Sequence, residues 1–427
     1  MKKQSNNIRM PGFPVCACLI SLAALISIAG IESATDVPYV VVDTGQTAFY
    51  NDSQEIPEPL TGAPFYGQDA HYDGTQPSYN DNGDGTVTDL NTGLMWQKIP
   101  DLDTKKTYAE AVAGAATFNL AEYSDWRLPT IKELYSLIDF RGHIRTTEET
   151  STPYIDTNYF DFAYGDESAG ERLIDAQYWS NTEYVGTTMN GNATVFGVNF
   201  ADGRIKGYPK QKPSGTENAQ FVRYVRGNIS YGDNTYVDND DGTITDLATG
   251  LMWQKDDSGA GKNWEDALSY AENLTLAGHD DWRLPNAKEL QSIIDYTRAP
   301  DATDSAKRSP AIDPVFDITN IGTPEDPDYG YFWSGTTHAD GNRYWGVYLA
   351  FGEAWGYMEQ PPLSGIYVLL NVHGAGAQRS DPKNGDPADW PYGNGPQGDM
   401  VRIYNYVRCV RDAVTTSSAV TSALHYY

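Results

Sequence analysis

The chain has 427 residues, of which 40% are hydrophobic and 12% aromatic, and this composition excludes an intrinsically disordered protein. Its formal net charge of -28 comes from Asp and Glu residues spread along the chain, and so acidic a surface excludes a nucleic-acid partner because it repels phosphate backbones. The length predicts two or three domains.

The N-terminus has the pattern of an export signal. Lys2, Lys3 and Arg9 form a basic start that precedes an apolar run from Phe13 to Ile31. We therefore expect residues 1–34 to be a signal peptide, which places the protein in the periplasm, at the cell surface or outside the cell. An uncleaved membrane anchor is the alternative, because the apolar run is almost long enough to span a bilayer.

Residues 35–78 form a leader without clear periodicity, in which we expect one short strand from Tyr39 to Val42. Once the signal peptide is removed, Cys409 is the only cysteine of the chain. A single cysteine cannot form an internal disulfide, so we expect Cys409 to be a buried, small hydrophobic residue.

An internal repeat defines the domain organisation. Asp81 to Lys98 matches Asp238 to Lys255 at 15 of 18 positions with an offset of 157, and Asp125 to Asp139 recurs as Asp281 to Asp295. Three weaker blocks follow in the same order. The sequence thus predicts two homologous domains, residues 79–227 (copy one) and 236–412 (copy two), joined by a linker at 228–235 and followed by a flexible tail at 413–427. We expect each copy to fold around its own core.

The first block of each copy predicts a β-hairpin. Turn signals at Gly83–Gly85 and Asn91–Gly93 bracket the strand residues Thr86 to Thr88, and the apolar strand Leu94 to Trp96 follows. We expect Trp96 and its counterpart Trp253 to anchor the core.

Two helices are predicted in each copy. Thr107, Ala111, Ala115 and Phe118 fall at helical spacing in copy one, as do Trp264, Ala267, Leu268 and Ala271 in copy two. A second helix is predicted to begin at Thr130 or Asn286, each an N-cap residue followed three positions later by a capping glutamate, Glu133 or Glu289.

Short aromatic strands such as Thr194 to Phe200 and Tyr344 to Phe351 follow, and each copy closes on Val-Arg-x-Val-Arg at residues 222–226 and 407–411. We expect this last strand to be central in its sheet, with one arginine of each pair bound to a buried carboxylate. The fold class is α+β, with short antiparallel strands and two helices in each of two tandem domains.

Several of these blocks resemble a known family. Thr-Gly-Leu-Met-Trp, then Asp-Trp-Arg-Leu-Pro-x-x-Lys-Glu-Leu, Trp-Ser and Val-Arg-Cys-Val-Arg are similar to the Lcl C-terminal domain family, named after the C-terminal module of a Legionella collagen-like adhesin. The resemblance covers most of residues 79–227 and 236–412. It implies an extracytoplasmic module, with ligand binding in part of the family and glycans as one candidate class of ligand, and it does not imply catalysis. The collagen-like stalk of the namesake is absent, so its trimerisation is not carried over.

The Trp-Arg-Leu-Pro-x-x-x-Glu-Leu stretch also resembles formylglycine-generating enzymes, whose scaffold is related to C-type lectins, and this implies a C-type-lectin-like fold. The paired cysteines of those enzymes are missing here. A degenerate enzyme of that type is one functional alternative.

The turn at Asn80 to Gly85 places oxygen-bearing side chains as calcium loops do, with Asp81, Asn82 and Asp84 as candidate ligands. The alternative is a hairpin turn stabilised by Asx hydrogen bonds, which is favoured because the twelfth loop position is Asn91 rather than glutamate. We predict no other cofactor.

Asp125, Arg127 and Glu133 form a charged group that recurs in copy two as Asp281, Arg283 and Glu289. It could be mistaken for an acid/base site, but a capping glutamate and an arginine paired with an aspartate explain it structurally. The six histidines have no metal-ligand spacing, and the chain has no nucleophile elbow or phosphate-binding motif. We therefore predict a protein that is not an enzyme.

Copy two is rich in aromatic residues near its end, and the long loop from Ser380 to Gly398 adds two more. Rings exposed on loops can stack on sugar rings, and we select Trp355, Tyr357, Trp390 and Tyr392 as candidate ligand-binding residues. The leading hypothesis is a protein that recognises a glycan or another cell-surface ligand through two linked modules. The rival is a structural or assembly role, with an envelope protein as partner.

Overall fold

The computed structural model describes residues 39–212 and 214–413. The predicted signal peptide and all but the first residue of the predicted tail lie outside this part of the chain. Within it, no helix is both long enough and apolar enough to cross a membrane.

Strands dominate the secondary structure, and the two copies share a four-stranded sheet, two helices and one half of a six-stranded sheet. The leader contributes β1 (Phe49–Tyr50) and β2 (Glu55–Ile56). Copy one contains β3 (Tyr79–Asp81), β4 (Thr86–Asp89), β5 (Leu94–Gln97), β6 (Lys106–Thr107), α1 (Tyr108–Ala115), α2 (Ile131–Ser136), β7 (Gln177–Glu183), β8 (Thr194–Asn199), β9 (Arg204–Pro209), β10 (Ala219–Gln220) and β11 (Val225–Gly227). Copy two contains β12 (Tyr236–Asp238), β13 (Thr243–Asp246), β14 (Leu251–Gln254), α3 (Trp264–Glu272), α4 (Ala287–Ser292), β15 (Tyr331–Asp340), β16 (Arg343–Ala350), β17 (Trp355–Glu359), β18 (Tyr367–Asn371), β19 (Gln378–Asp381) and β20 (Val410–Asp412).

The predicted hairpin and helix starts are confirmed. Strands β4 and β5 pair antiparallel, with Val87 opposite Trp96, and β13 and β14 repeat this register with Ile244 opposite Trp253. The side chains of Thr130 and Asn286 accept the backbone N–H of the glutamate three residues on, and each glutamate binds back to the cap. These capping boxes satisfy N–H groups that a helix start leaves without partners.

The two copies join in one antiparallel sheet. Its six strands run in the order β15-β16-β19-β9-β8-β7, so copy two supplies one half and copy one the other. At the centre Gln378 of β19 lies opposite Ile205 of β9. Each copy also has its own four-stranded sheet, in the order β11-β5-β4-β3 for copy one and β20-β14-β13-β12 for copy two.

The expectation that each copy has its own core is corrected by the packing. One face of the six-stranded sheet packs on α2 and α4, and the apolar residues between them form a single cluster drawn from both copies, including Trp96, Phe196, Trp253 and Leu349. Trp96 and Trp253 are both fully buried, as predicted. Side chains alternate along a strand, so Val195 points to the opposite face, where a smaller cluster forms beneath α1 and a matching one beneath α3. The sheet therefore separates a shared core from two private ones.

Two lysines reinforce the junction. Lys132 on α2 donates to the carbonyl of Ser292 at the end of α4, at 2.7 Å, and Lys288 on α4 donates to the carbonyl of Ser136 at the end of α2, at 2.9 Å. Each ammonium therefore satisfies a helix-terminal carbonyl of the other copy.

The closing Val-Arg-x-Val-Arg segment differs from its prediction in two ways. Its strands β11 and β20 are edge strands of the four-stranded sheets, because each copy uses its central positions for the hairpin. The buried Arg223 donates to the carbonyls of Gln97, Lys98 and Asp161 rather than to a carboxylate, and Arg408 makes the same three bonds in copy two. The arginine therefore ties a loop to the hairpin through backbone groups. The valines are buried as expected, and so is Cys409.

The leader is a strap on copy two. In place of the predicted strand from Tyr39 to Val42, the structure has one bridge between Val42 and Thr75. The later part of the leader packs on copy two, where Tyr50 stacks on Tyr344 and Phe65 lies against Trp264.

Candidate functional site

The candidate aromatic residues lie in a part of copy two that is longer than its counterpart in copy one. The offset between the copies is 154 at Tyr178 and Phe332 but 185 at Phe221 and Tyr406, so copy two has 31 additional residues in between. This extra length falls in the hairpin β17–β18 and in the loop after β19. We call residues 353–376 and 382–404 together the insertion lobe.

Buried carboxylates hold the lobe on the sheet. Asp399 in the loop accepts hydrogen bonds from His373 Nε2 and from Arg379 Nε of β19, both at 2.8 Å. The Arg379 guanidinium and the His373 imidazole hold the pKa of Asp399 well below its usual range, although burial opposes them. Asp381 at the end of β19 accepts the backbone N–H groups of Arg402 and Ile403. The lobe is therefore fixed at its base, which suits a surface that must be preorganised.

The structure brings the four candidate aromatic residues into this one lobe but exposes them unequally. Tyr392 is 55% exposed, whereas Trp355, Tyr357 and Trp390 are half-buried. The indole of Trp355 donates to Asp328 Oδ2 at 2.8 Å, so this ring is held by the protein. The expectation that all four rings are freely exposed is thus corrected, because alternate residues of β17 pack on the body of the lobe.

One aromatic pair lies within the lobe and a second joins the lobe to strand β16. Tyr392 stacks on Tyr367 of β18 with ring centroids 4.1 Å apart, and Trp390 meets Trp345 edge to face at 5.5 Å. The Arg343 guanidinium lies over the Trp345 ring, 4.9 Å from its centroid. The surface therefore offers apolar ring faces beside hydrogen-bonding groups.

Tyr367 was missed by the sequence reasoning. A signal was present, since Pro361, Pro362 and Gly365 predict a turn, and the run Tyr367 to Leu370 after it suits a strand. The tip of this hairpin is apolar and uncovered, with Leu363 95% exposed and Ile366 60% exposed.

The candidate calcium ligands take part in a hairpin turn. Asp81 accepts the backbone N–H of Gly83 at 3.0 Å and pairs with Lys98 at 2.5 Å, and Asp84 accepts both the N–H and the hydroxyl of Thr86. Asn82 donates to the hydroxyl of Thr86 at 2.8 Å. Copy two repeats the pattern with Asp238, Asn239 and Asp241. Within residues 39–212 and 214–413, no group of three or more acidic, histidine or cysteine side chains is placed to hold a metal ion.

The charged group of Asp125, Arg127 and Glu133 has the geometry expected for a structural role. Arg127 binds Glu133 through two guanidinium nitrogens, and Asp125 pairs with Arg226 at 2.7 Å. Copy two repeats both pairs, with Arg283 on Glu289 and Arg411 on Asp281. A bidentate pair of this kind holds the helix start against the closing strand.

Comparison with known proteins supports the repeat. The model of the Lcl C-terminal domain matches residues 85–226 and again residues 242–368. No curated protein and no solved structure matches the chain. The resemblance noted from the sequence motifs is therefore confirmed in both copies, and the second match ends inside the insertion lobe.

Proposed function

The chain belongs to the Lcl C-terminal domain family, with two tandem copies of the domain, and from this premise we propose that it is an exported, non-enzymatic binding protein. The insertion lobe of copy two is the proposed recognition surface, and the ligand is a glycan or another cell-surface molecule. The carrying observation is the stacked pair Tyr367 and Tyr392 in the lobe, together with Trp390 of the lobe packed on Trp345 of β16.

Physical chemistry supports this choice of surface. Tyrosine and tryptophan offer large, flat contact areas and lose little conformational entropy when they bind, since each has two side-chain torsions. The loops that carry them are anchored on a rigid sheet, which is the usual arrangement of binding loops. The hydroxyl of Tyr392 and the amide of Asn394 can hydrogen-bond the hydroxyl groups of a sugar while the ring faces cover its apolar side.

A glycan array with the purified mature chain tests the proposal. We expect binding that Tyr392→Ala or Trp390→Ala weakens about tenfold or more, as for a central aromatic contact. Trp355→Ala should also weaken binding, but partly through loss of its bond to Asp328. Tyr123→Ala is the matched control, because Tyr123 is an exposed tyrosine of copy one, and it should bind as the wild type does. Binding that all three lobe variants retain would contradict the proposal.

The array run with and without EDTA tests the calcium alternative. We propose recognition without a metal cofactor, because the oxygens of Asp81 and Asp84 already accept hydrogen bonds within the turn. EDTA should leave binding unchanged. If EDTA abolishes binding, calcium restores it, and Asp84→Asn does not bind even with calcium, the turn is a calcium site instead.

An assembly role is the second candidate, and one observation favours it. The N–H of Tyr357 donates to Gly398, away from β18, so the opposite residue Leu369 directs its own N–H and C=O outward. Among the described residues no strand pairs with the outer side of β18 at Leu369, and another protein could extend the sheet at these exposed apolar side chains. If no glycan binds and an envelope protein co-purifies with the wild type but not with Leu369→Lys, this role replaces the first.

Export and fold are part of the same proposal. Export rests on residues 1–34, and N-terminal sequencing of protein from fractionated cells would show whether cleavage occurs near residue 34. A C-type-lectin-like fold of each copy rests on the Trp-Arg-Leu-Pro resemblance, and an experimental structure compared with lectin domains would test it. The strongly acidic surface supports a partner other than nucleic acid.

A further inference from the structure

A cavity of about 650 Å³ lies between the leader and copy two, and none of its lining residues belongs to the insertion lobe. One wall is the leader segment from Asp69 to Thr75, and the other is formed by the turn at Thr249 to Leu251 and the start of α4. The volume is in the range of small-molecule sites.

The walls of this cavity are fixed by hydrogen bonds. Asp43 accepts the backbone N–H groups of Gly45 and Gly74 at 2.7 and 2.9 Å, and its own N–H donates to Thr75 at 2.8 Å. The Arg283 guanidinium lies over the Tyr72 ring, 5.5 Å from its centroid. The cavity is therefore preformed, and a ligand would pay little to order it.

Asp69 is the buried polar group of this cavity. It is only 3% exposed, and its Oδ2 accepts the hydroxyls of Thr44 and Thr336 at 2.7 and 2.6 Å. Its Oδ1 accepts no hydrogen bond from any residue in the described part of the chain, although the side chain lines the cavity. This oxygen therefore faces the cavity as an acceptor that a donor group of a ligand can reach.

The charge around the cavity is negative. Four carboxylates line it, those of Asp69, Asp73, Glu289 and Asp412, against the one guanidinium of Arg283. Arg283 already binds Glu289 through two nitrogens, at 2.5 and 2.6 Å. Asp412 also lies 3.4 Å from Arg283, so one guanidinium serves two carboxylates and the lining keeps a net negative charge. A cleft of one sign concentrates ligands of the opposite charge.

We propose that this cavity binds a small organic cation whose primary ammonium group donates to Asp69 Oδ1. An ammonium offers three donors and no acceptor, which matches a wall of carboxylate oxygens. An anion would meet four carboxylates. The proposal is independent of glycan recognition by the insertion lobe, since the two sites share no residue.

Isothermal titration of the mature chain with putrescine tests this proposal, and 1,4-butanediol is the uncharged ligand of the same length. The titration is run in phosphate buffer at pH 8, above the Asp69 pKa of about 7, where the carboxyl is ionised. We expect putrescine to bind and butanediol not to bind. Asp69→Asn, which keeps the shape and removes the charge, should weaken putrescine binding about tenfold or more.

Asp73→Asn is the second variant, because Asp73 is exposed and its substitution leaves the fold intact. It should weaken putrescine binding severalfold, and Tyr392→Ala should leave it unchanged. If Asp69→Asn fails to fold, as judged by circular dichroism, Asp73→Asn and the butanediol comparison decide the outcome. The proposal is overturned if putrescine does not bind at roughly 10 mM, if butanediol binds equally well, or if neither aspartate variant changes the affinity.

Discussion

Copy one and copy two share a scaffold and differ in what is added to it. Both have the hairpin with a buried tryptophan, the two capped helices and the arginine that binds three carbonyls. Only copy two has the insertion lobe, and the later part of the leader packs on copy two. The repeated residues therefore build the fold, and each proposed site combines them with residues found only once.

The scaffold found in both copies is also continuous between them. The six-stranded sheet crosses from one copy to the other at β9 and β19, and a single core lies beneath it. A duplicated chain of this kind need not consist of two independently folding units, and the following predictions test the comparison between the copies.

The largest effect is expected for the matched tryptophans. Trp96→Ala and Trp253→Ala should each lower the free energy of unfolding by about 3–5 kcal/mol, because each removes a fully buried ring from the shared core. Urea unfolding followed by circular dichroism should show one transition, shifted to lower urea in both variants. The control Trp96→Phe should cost less, since it also removes a buried N–H that has no partner in the described chain. A variant with two transitions, one of them unshifted, would show that the copies are independent.

The two lysines of the junction should come next. Lys132→Met and Lys288→Met should each cost about 1–3 kcal/mol, because each leaves helix-terminal carbonyls of the other copy without a donor. The same urea titration measures both. If only one substitution lowers the free energy of unfolding, the two lysines contribute unequally although their hydrogen bonds match.

The smallest effect concerns the leader and has the opposite sign. Burial raises the pKa of Asp69 from 3.8 to about 7, so the folded state binds this proton more tightly than the unfolded state does. The contribution of Asp69 to stability is therefore greatest at acidic pH and falls as the pH rises from about 4 to 7. Asp69→Asn should stabilise the protein by at least about 1 kcal/mol at pH 8 and by less at pH 5. Thermal unfolding at the two pH values measures this, and a destabilised variant at pH 8 would contradict it.

The sequence predicted those features that depend on neighbouring residues. The hairpin follows from the glycine turns around Thr86 to Thr88, and the helix starts follow from Thr130 and Asn286 with their glutamates, since spacing alone determines each bond. The sequence shows that Trp390 and Tyr392 lie in one loop rich in aromatic residues. It does not show that these rings pack on Trp345 and Tyr367.

The remaining features depend on contacts far apart in sequence. The pairing of Gln378 with Ile205, the strap formed by the leader and the carbonyl partners of Arg223 are each set by tertiary packing. Valine and arginine in alternation indicate a strand but not its place in a sheet, and so the closing strand was expected at the centre rather than at the edge.

Native-state hydrogen exchange of the wild-type chain, read at the amides of β9 and β19, tests most directly whether the two copies form one unit. Both strands should open with the same free energy, equal to that of global unfolding, because they share one sheet and one core. Opening of β19 together with all of copy two, while β9 and copy one stay protected, would contradict this.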